Sequence, residues 1–143
     1  MSRVYFTDRD LGKRFPEILT AAGLTVERHH DLFTPAGSDE QWLEHCGRNR
    51  RIAITHNERI RYTPNELAAV VRHRVALLVV VGKASHADLA NGFVNTLPRI
   101  EAFFDEHEPP YIAKVYRPSI SELARHYDAS GSVLLWYTTK PAH

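Results

Sequence analysis

Apolar positions along the chain switch between a strand period and a helical one. Val4-Tyr5-Phe6-Thr7 is a short β-rich run that stops at Asp8. Leu11, Phe15, Ile18, Leu19 and Ala22 then recur at helical spacing, with Gly23 as the stop. Pro16 inside that pattern predicts either a bend or a helix that starts later than Leu11. Leu24 to Arg28 reads as a second strand, and His29 to Gly37 as a loop containing Pro35. Ser38-Asp39-Glu40-Gln41 has the spacing of a capping box, so a helix is expected from Asp39, with Trp42, Leu43 and Cys46 on its apolar face.

Arg51 to Thr55 is a third strand, and Pro64 opens a helix carrying Leu67, Val70 and Val71. Val75 to Val81 is almost wholly apolar, the pattern of a strand covered on both faces of a parallel sheet. Leu89, Phe93, Leu97, Ile100, Phe103 and Phe104 mark a long amphipathic helix in which Pro98 is an interior defect, expected to kink it. After Pro109-Pro110, the runs Tyr111–Tyr116 and Ser132–Tyr137 predict an antiparallel pair at the sheet edge, with a short helix between Ser119 and Tyr127. The alternation of strands and helices predicts an α/β fold, a mainly parallel central sheet flanked by helices. No internal repeat or low-complexity segment interrupts it, and 143 residues suit one domain over 1–143.

In such a sheet, ligands bind beyond the carboxyl ends of the strands. Asp8 and Asp10 follow the first strand, Asp31 the second, and Thr55, His56, Asn57 and Glu58 the third; Asp39 and Glu40 begin the helix between. Carboxylates converging there repel one another unless a cation neutralises them. Oxygen donors of this kind suit Mg²⁺ or Mn²⁺, which activate water and stabilise charge developing on a phosphodiester. Each residue also has a structural reading. Asp8 starts a turn, Asp10 caps a helix, Asp39 and Glu40 complement a helix dipole, and Asn57 shapes a turn. His29 and His30, if extended, point to opposite faces. Cys46 sits on an apolar helix face and reads as core.

Composition adds little. Net charge is +1, so bulk charge selects no partner, but Arg48, Arg50, Arg51, Arg59, Arg61, Arg72 and Arg74 fall in one stretch, and arginine suits phosphate. A single cysteine excludes an internal disulfide and fits a reducing compartment. The start at Arg3-Val4-Tyr5-Phe6 shows no leader, and no apolar run reaches the ~20 residues of a membrane helix, so a cytoplasmic location with no membrane association is expected.

Three strings carry a family resemblance. Val4-Tyr5-Phe6-Thr7-Asp8-Arg9-Asp10-Leu11-Gly12-Lys13-Arg14, then Ser38-Asp39-Glu40-Gln41-Trp42-Leu43, then Ile54-Thr55-His56-Asn57-Glu58-Arg59-Ile60-Arg61 with Pro64 and Glu66-Leu67, resemble PIN-like domains of the VapC toxin group. Pro98 to Glu101 and Pro109 to Tyr116 extend the likeness to roughly residues 3–117, leaving 118–143 as a C-terminal extension. The resemblance implies a PIN-like three-layer fold and a metal-dependent endoribonuclease using Mg²⁺ or Mn²⁺, the toxin of a toxin–antitoxin pair. It places the catalytic and metal site at Asp8, Asp39 and Asn57 with Asp10 beside them, Thr55 supporting, and RNA along Arg9, Arg59 and Arg61. It implies a small helix-turn-helix antitoxin as partner, and homodimers are common in the group. Asn57 departs from the pattern, which has Asp there, and removes a negative charge. A non-catalytic PIN-like binding or regulatory protein is therefore the alternative. A phosphoacceptor receiver module is a third reading, disfavoured because no acceptor Asp follows the third strand.

Overall fold

A computed structural model describes residues 3–139. Six strands form one sheet in the order β2-β1-β3-β4-β5-β6: β1 (Val4–Thr7), β2 (Thr25–Arg28), β3 (Ile52–Thr55), β4 (Ala76–Val81), β5 (Tyr111–Tyr116) and β6 (Ser132–Thr138). All neighbours are parallel except β5 and β6. The helices are α1 (Arg14–Ala21), α2 (His29–Leu32), α3 (Asp39–Arg48), α4 (Pro64–Arg72), α5 (His86–Glu106) and α6 (Ile120–Arg125). Short 3-10 turns at Arg9–Leu11 and Glu58–Tyr62 follow β1 and β3.

Alternation along the strands divides the interior into two cores. Tyr5, Ile54, Leu78 and Val80 face α1 and α5, packing on Phe15, Leu19, Phe93 and Ile100. Phe6, Ala53, Leu77 and Val79 face α3 and α4, packing on Trp42, Leu43, Cys46 and Val70. Phe6 stacks on Trp42 with ring centroids 5.6 Å apart. Burial on both faces explains the unbroken apolar run of β4, and the three-layer α/β architecture agrees with the sequence pattern.

Several local expectations change. Of the two alternatives at Pro16, the later start holds: α1 begins at Arg14, separated from the turn at Leu11 by Gly12, whose φ of 67° and ψ of −158° suit only glycine; a Cβ there would also come within 2.6 Å of the His86 ring. Pro16 lies in the first turn of α1, where its missing N–H costs nothing. The segment expected as loop from His29 begins with the single-turn helix α2, so His29 and His30 are not on extended chain. His29 is buried and accepts from Arg9 Nε at 3.3 Å, while His30 is exposed. Ser38 does precede α3, but its side chain makes no capping bond; the Gln41 N–H goes to the Ser38 carbonyl instead. A complete capping box occurs at Ser119 and Glu122, opening α6. α5 runs through Pro98, which stands on its solvent side, so the defect does not end the helix.

The chain after β5 is integral to the sheet. Ser130 Oγ donates to the Asn95 carbonyl at 2.6 Å, the Gly131 N–H to Thr96 Oγ1 at 2.9 Å, and Arg99 to the Gly131 carbonyl. These bonds fasten the connection onto α5 and deliver β6 beside β5.

Three helix-to-strand turns share one geometry. After α1, α3 and α4, the N–H groups of Gly23, Arg50 and Arg74 reach back three residues, and those of Leu24, Arg51 and Val75 reach back five. That is the Schellman pattern, which needs a left-handed residue and favours glycine. Gly23 has φ 96°, but Arg50 and Arg74 adopt φ 55° and 54°. Arg50→Gly and Arg74→Gly are each expected to stabilise the fold by about 0.5–1 kcal/mol in chemical denaturation. A loss of stability in both would contradict this reading of the turns.

Candidate active site

Strand order 2-1-3 places a topological switch point between β1 and β3, where the outward helical connections diverge and a crevice opens beyond the carboxyl ends. Asp8 and Asp10 leave β1 at that point, and Thr55, His56 and Asn57 leave β3. The ladder itself sets Asp8, whose N–H donates to the Ile54 carbonyl at 2.9 Å. Asp8 is only 8% exposed. Its carboxylate accepts from the Arg9 N–H at 2.7 Å and from the Thr55 hydroxyl at 2.8 Å.

Thr55 ties the two acids together. Its Oγ1 also lies 3.2 Å from Asp10 Oδ2, and it accepts from the Asn57 N–H at 3.2 Å. Asp10 receives the His56 N–H at 3.2 and 3.3 Å. The cap of the first 3-10 turn is therefore Asp8, not Asp10, which instead bridges to β3. His56 Nδ1 donates to the Val80 carbonyl at 2.8 Å, since a carbonyl can only accept.

Asp39 begins α3 and accepts from Trp42 Nε1 at 2.9 Å. Facing it is Glu66 of α4, a residue that occurs in the third sequence string but that strand-end reasoning passed over. Position explains the omission: Glu66 lies on the third residue of a helix, and only the packing of α3 on α4 brings it to Asp39. Its Oε2 is buried and has no hydrogen-bond donor among the described residues.

Electrostatics reflect this crowding. Burial first, then the charge of Asp10, push the Asp8 carboxyl up to about 7, against the pull of the Thr55 and Arg9 bonds. Burial, then Asp39, push Glu66 up to about 7. Asp10 is also raised by lost hydration, opposed by its bonds from His56 and Thr55. Asp39 contributes repulsion to all three. An orphaned buried carboxylate oxygen within a group of mutually repelling acids fits a hard divalent cation chemically. Among the described residues, however, no three His, Cys, Asp or Glu side chains stand close enough to enclose an ion.

The side chains of the other candidates are engaged elsewhere or face solvent. The Asn57 Oδ1 accepts from the Arg59 N–H at 3.0 Å, so the amide caps the second 3-10 turn. Asp31 is exposed and paired with Arg28 at 3.0 Å, Glu40 is exposed, and Glu58 reaches Lys114 at 3.8 Å. Arg9 is turned toward His29 and the Phe33 carbonyl, bracing α2. Arg61 packs over the rings of Tyr62, Trp136 and Tyr137, while Arg59 is exposed. Cys46 is buried and its thiol is pushed far upward by burial, which suits core and not nucleophile. Beside Asp8 opens a cleft of about 180 Å³ lined by Lys13, Arg28 and His30.

The raised carboxyls set a pH dependence. Their ordinary values are 3.8 and 4.5, and both rise to about 7 on folding. Between about pH 4 and 7 the folded state holds protons that the unfolded chain has released, so stability falls as pH rises through that window. In metal-free buffer the protein is expected to be less stable at pH 8 than at pH 5, by about 2–3 kcal/mol through Asp8 with a smaller, solvent-screened share through the half-exposed Glu66, and Asp8→Asn or Glu66→Gln should flatten the fall. An unchanged slope in both variants, measured by denaturant titration, would contradict the electrostatic account.

The family described as PIN like domain matches residues 3–82, a segment that contains Asp8, Asp10, Asp39, Thr55 and Glu66. No curated protein and no solved structure matches the chain. Among the described residues no helix is long and apolar enough to cross a membrane. With more than half of its length matched, the chain belongs to the PIN-like domain family, a nuclease-type fold family whose members generally depend on divalent metal.

Proposed function

We propose that this protein is a metal-dependent endoribonuclease of the kind found as toxins in toxin–antitoxin pairs. The observation that carries the reading is the gathering of Asp8, Asp10, Asp39 and Glu66 at the switch point, with one buried Glu66 oxygen lacking a donor. Asp8 and Asp39 would be the residues that hold a Mg²⁺ or Mn²⁺ ion, with Glu66 and Asp10 contributing negative charge from around it. When bound, the ion supplies an activated water and neutralises charge developing on the phosphate.

The chain's own residues prepare that chemistry. The Thr55 hydroxyl fixes the rotamer of Asp8, and the His56 N–H fixes Asp10. Trp42 Nε1 orients Asp39. Lys13 along the adjoining cleft attracts phosphate toward Asp8. Exposed Arg59 and the Tyr62 ring, 68% exposed, extend the strand's path beyond Asn57. A small helix-turn-helix antitoxin is the protein partner, and a homodimer the functional unit, that this reading adopts.

Asn57 favours a second reading, a PIN-like scaffold that binds without cutting. Its amide is occupied as a turn cap and supplies no charge. Glu66 is what separates the two, because it brings to the site a carboxylate that Asn57 does not. Cleavage of a pooled RNA with Mn²⁺ is expected from the natural chain, and Asp8→Asn should reduce it at least about 100-fold, Glu66→Gln about tenfold or more. Equal cutting by Asp8→Asn would overturn the nuclease assignment. An inactive natural chain that gains cleavage on Asn57→Asp would establish the binding reading.

A further inference from the structure

The sheet has a second end, and it is basic. Arg51 precedes β3, Ala76 opens β4, Tyr111 opens β5 and Arg3 lies just ahead of β1; together they border an open cleft of about 590 Å³. Arg3, Arg50, Arg51 and Arg74 line it with His73 and His107, and Glu108 is the one acid in the lining. Some of this charge is spoken for: Arg51 lies 3.2 Å from Glu27, Arg3 3.7 Å from Asp105, and His73 4.0 Å from Glu44. Arg50 and Arg74 make no ion pair and no side-chain hydrogen bond among the described residues.

Those same two arginines hold the left-handed turn positions after α3 and α4. The first turn of the same kind uses Gly23, so this chain can build the turn in its easier form. Two strained arginines without partners therefore line one cleft, each fixed by backbone hydrogen bonds at a helix end. Guanidinium groups placed this way offer forked donors that match phosphate oxygens.

We propose that this cleft binds the phosphate of a nucleotide, free or as one residue of an RNA strand, with Arg50 and Arg74 as the main contacts. The volume lies within the range of small-ligand pockets, about 300–1,000 Å³. Phe104 adds an aromatic wall, with the Arg3 guanidinium 4.8 Å from its ring centroid. The site is independent of the acidic centre. Strands of four to six residues separate the two ends by about 13–20 Å at ~3.3 Å per residue, so a ligand here avoids the carboxylates.

Fluorescence polarisation in EDTA tests it, with a 5′-labelled RNA oligonucleotide and a fluorescent ATP analogue as probes. The natural chain is expected to bind at least one probe, and the double variant Arg50→Gly, Arg74→Gly to bind it about tenfold or more weakly while melting no lower. Arg125→Ala, which removes an exposed arginine outside the cleft, should bind as the natural chain does, whether or not the nuclease reading holds. Binding of the ATP analogue identifies a free-nucleotide site, and binding of RNA alone identifies a strand site. No binding of either probe, a double variant within twofold of the natural chain, or equal displacement by poly-glutamate would overturn the proposal.

Discussion

Burial of the parallel sheet on both faces is the constraint from which the rest follows. β3 and β4 expose almost nothing between their ends, because Ile54, Leu78 and Val80 fill one core and Ala53, Leu77 and Val79 the other. Polar chemistry is therefore excluded from the bodies of these two strands and gathers at their ends. At the carboxyl end the chain places Asp8, Asp10, Asp39 and Glu66; at the amino end it places Arg3, Arg50, Arg51 and Arg74. Net charge of +1 conceals this separation entirely.

Within the acidic end, hydrogen bonding and repulsion act in opposite directions on the same groups. Thr55, Arg9 and His56 supply donors that favour the charged carboxylates, while burial and mutual proximity favour protonation. Burial, reinforced by repulsion, prevails at Asp8 and Glu66, whose carboxyls rise to about 7. A site in this condition trades folding stability for affinity toward a cation, and the trade is greatest above neutral pH. Asn57 moderates it, since an Asp in that place would add a further negative charge.

Much of this was legible in the sequence because the periodicity was clean. The apolar run of β4, the helix opening at Pro64 and the acids after β1 and β3 all lie where pattern and strand-end chemistry place them. The misses have physical causes. Helix α2 is a single turn braced by Arg9 from 20 residues away, a tertiary contact with no local signature. Gly12 divides the first helical pattern through a backbone conformation that periodicity does not encode. Glu66 joins the site through the packing of α4 on α3, which position at a strand end does not encode. Arginine at left-handed turns was invisible because Arg50 and Arg74 carry none of glycine's sequence signature.

Calorimetric titration of the natural protein with Mn²⁺ at pH 8 tests the central claim most directly. The account predicts saturable binding with release of few protons at that pH, and more protons released at pH 6, where Asp8 and Glu66 are still largely protonated. Absence of saturable binding by the folded protein, or binding undiminished in Asp8→Asn, would contradict a cation-holding centre at the carboxyl end of the sheet.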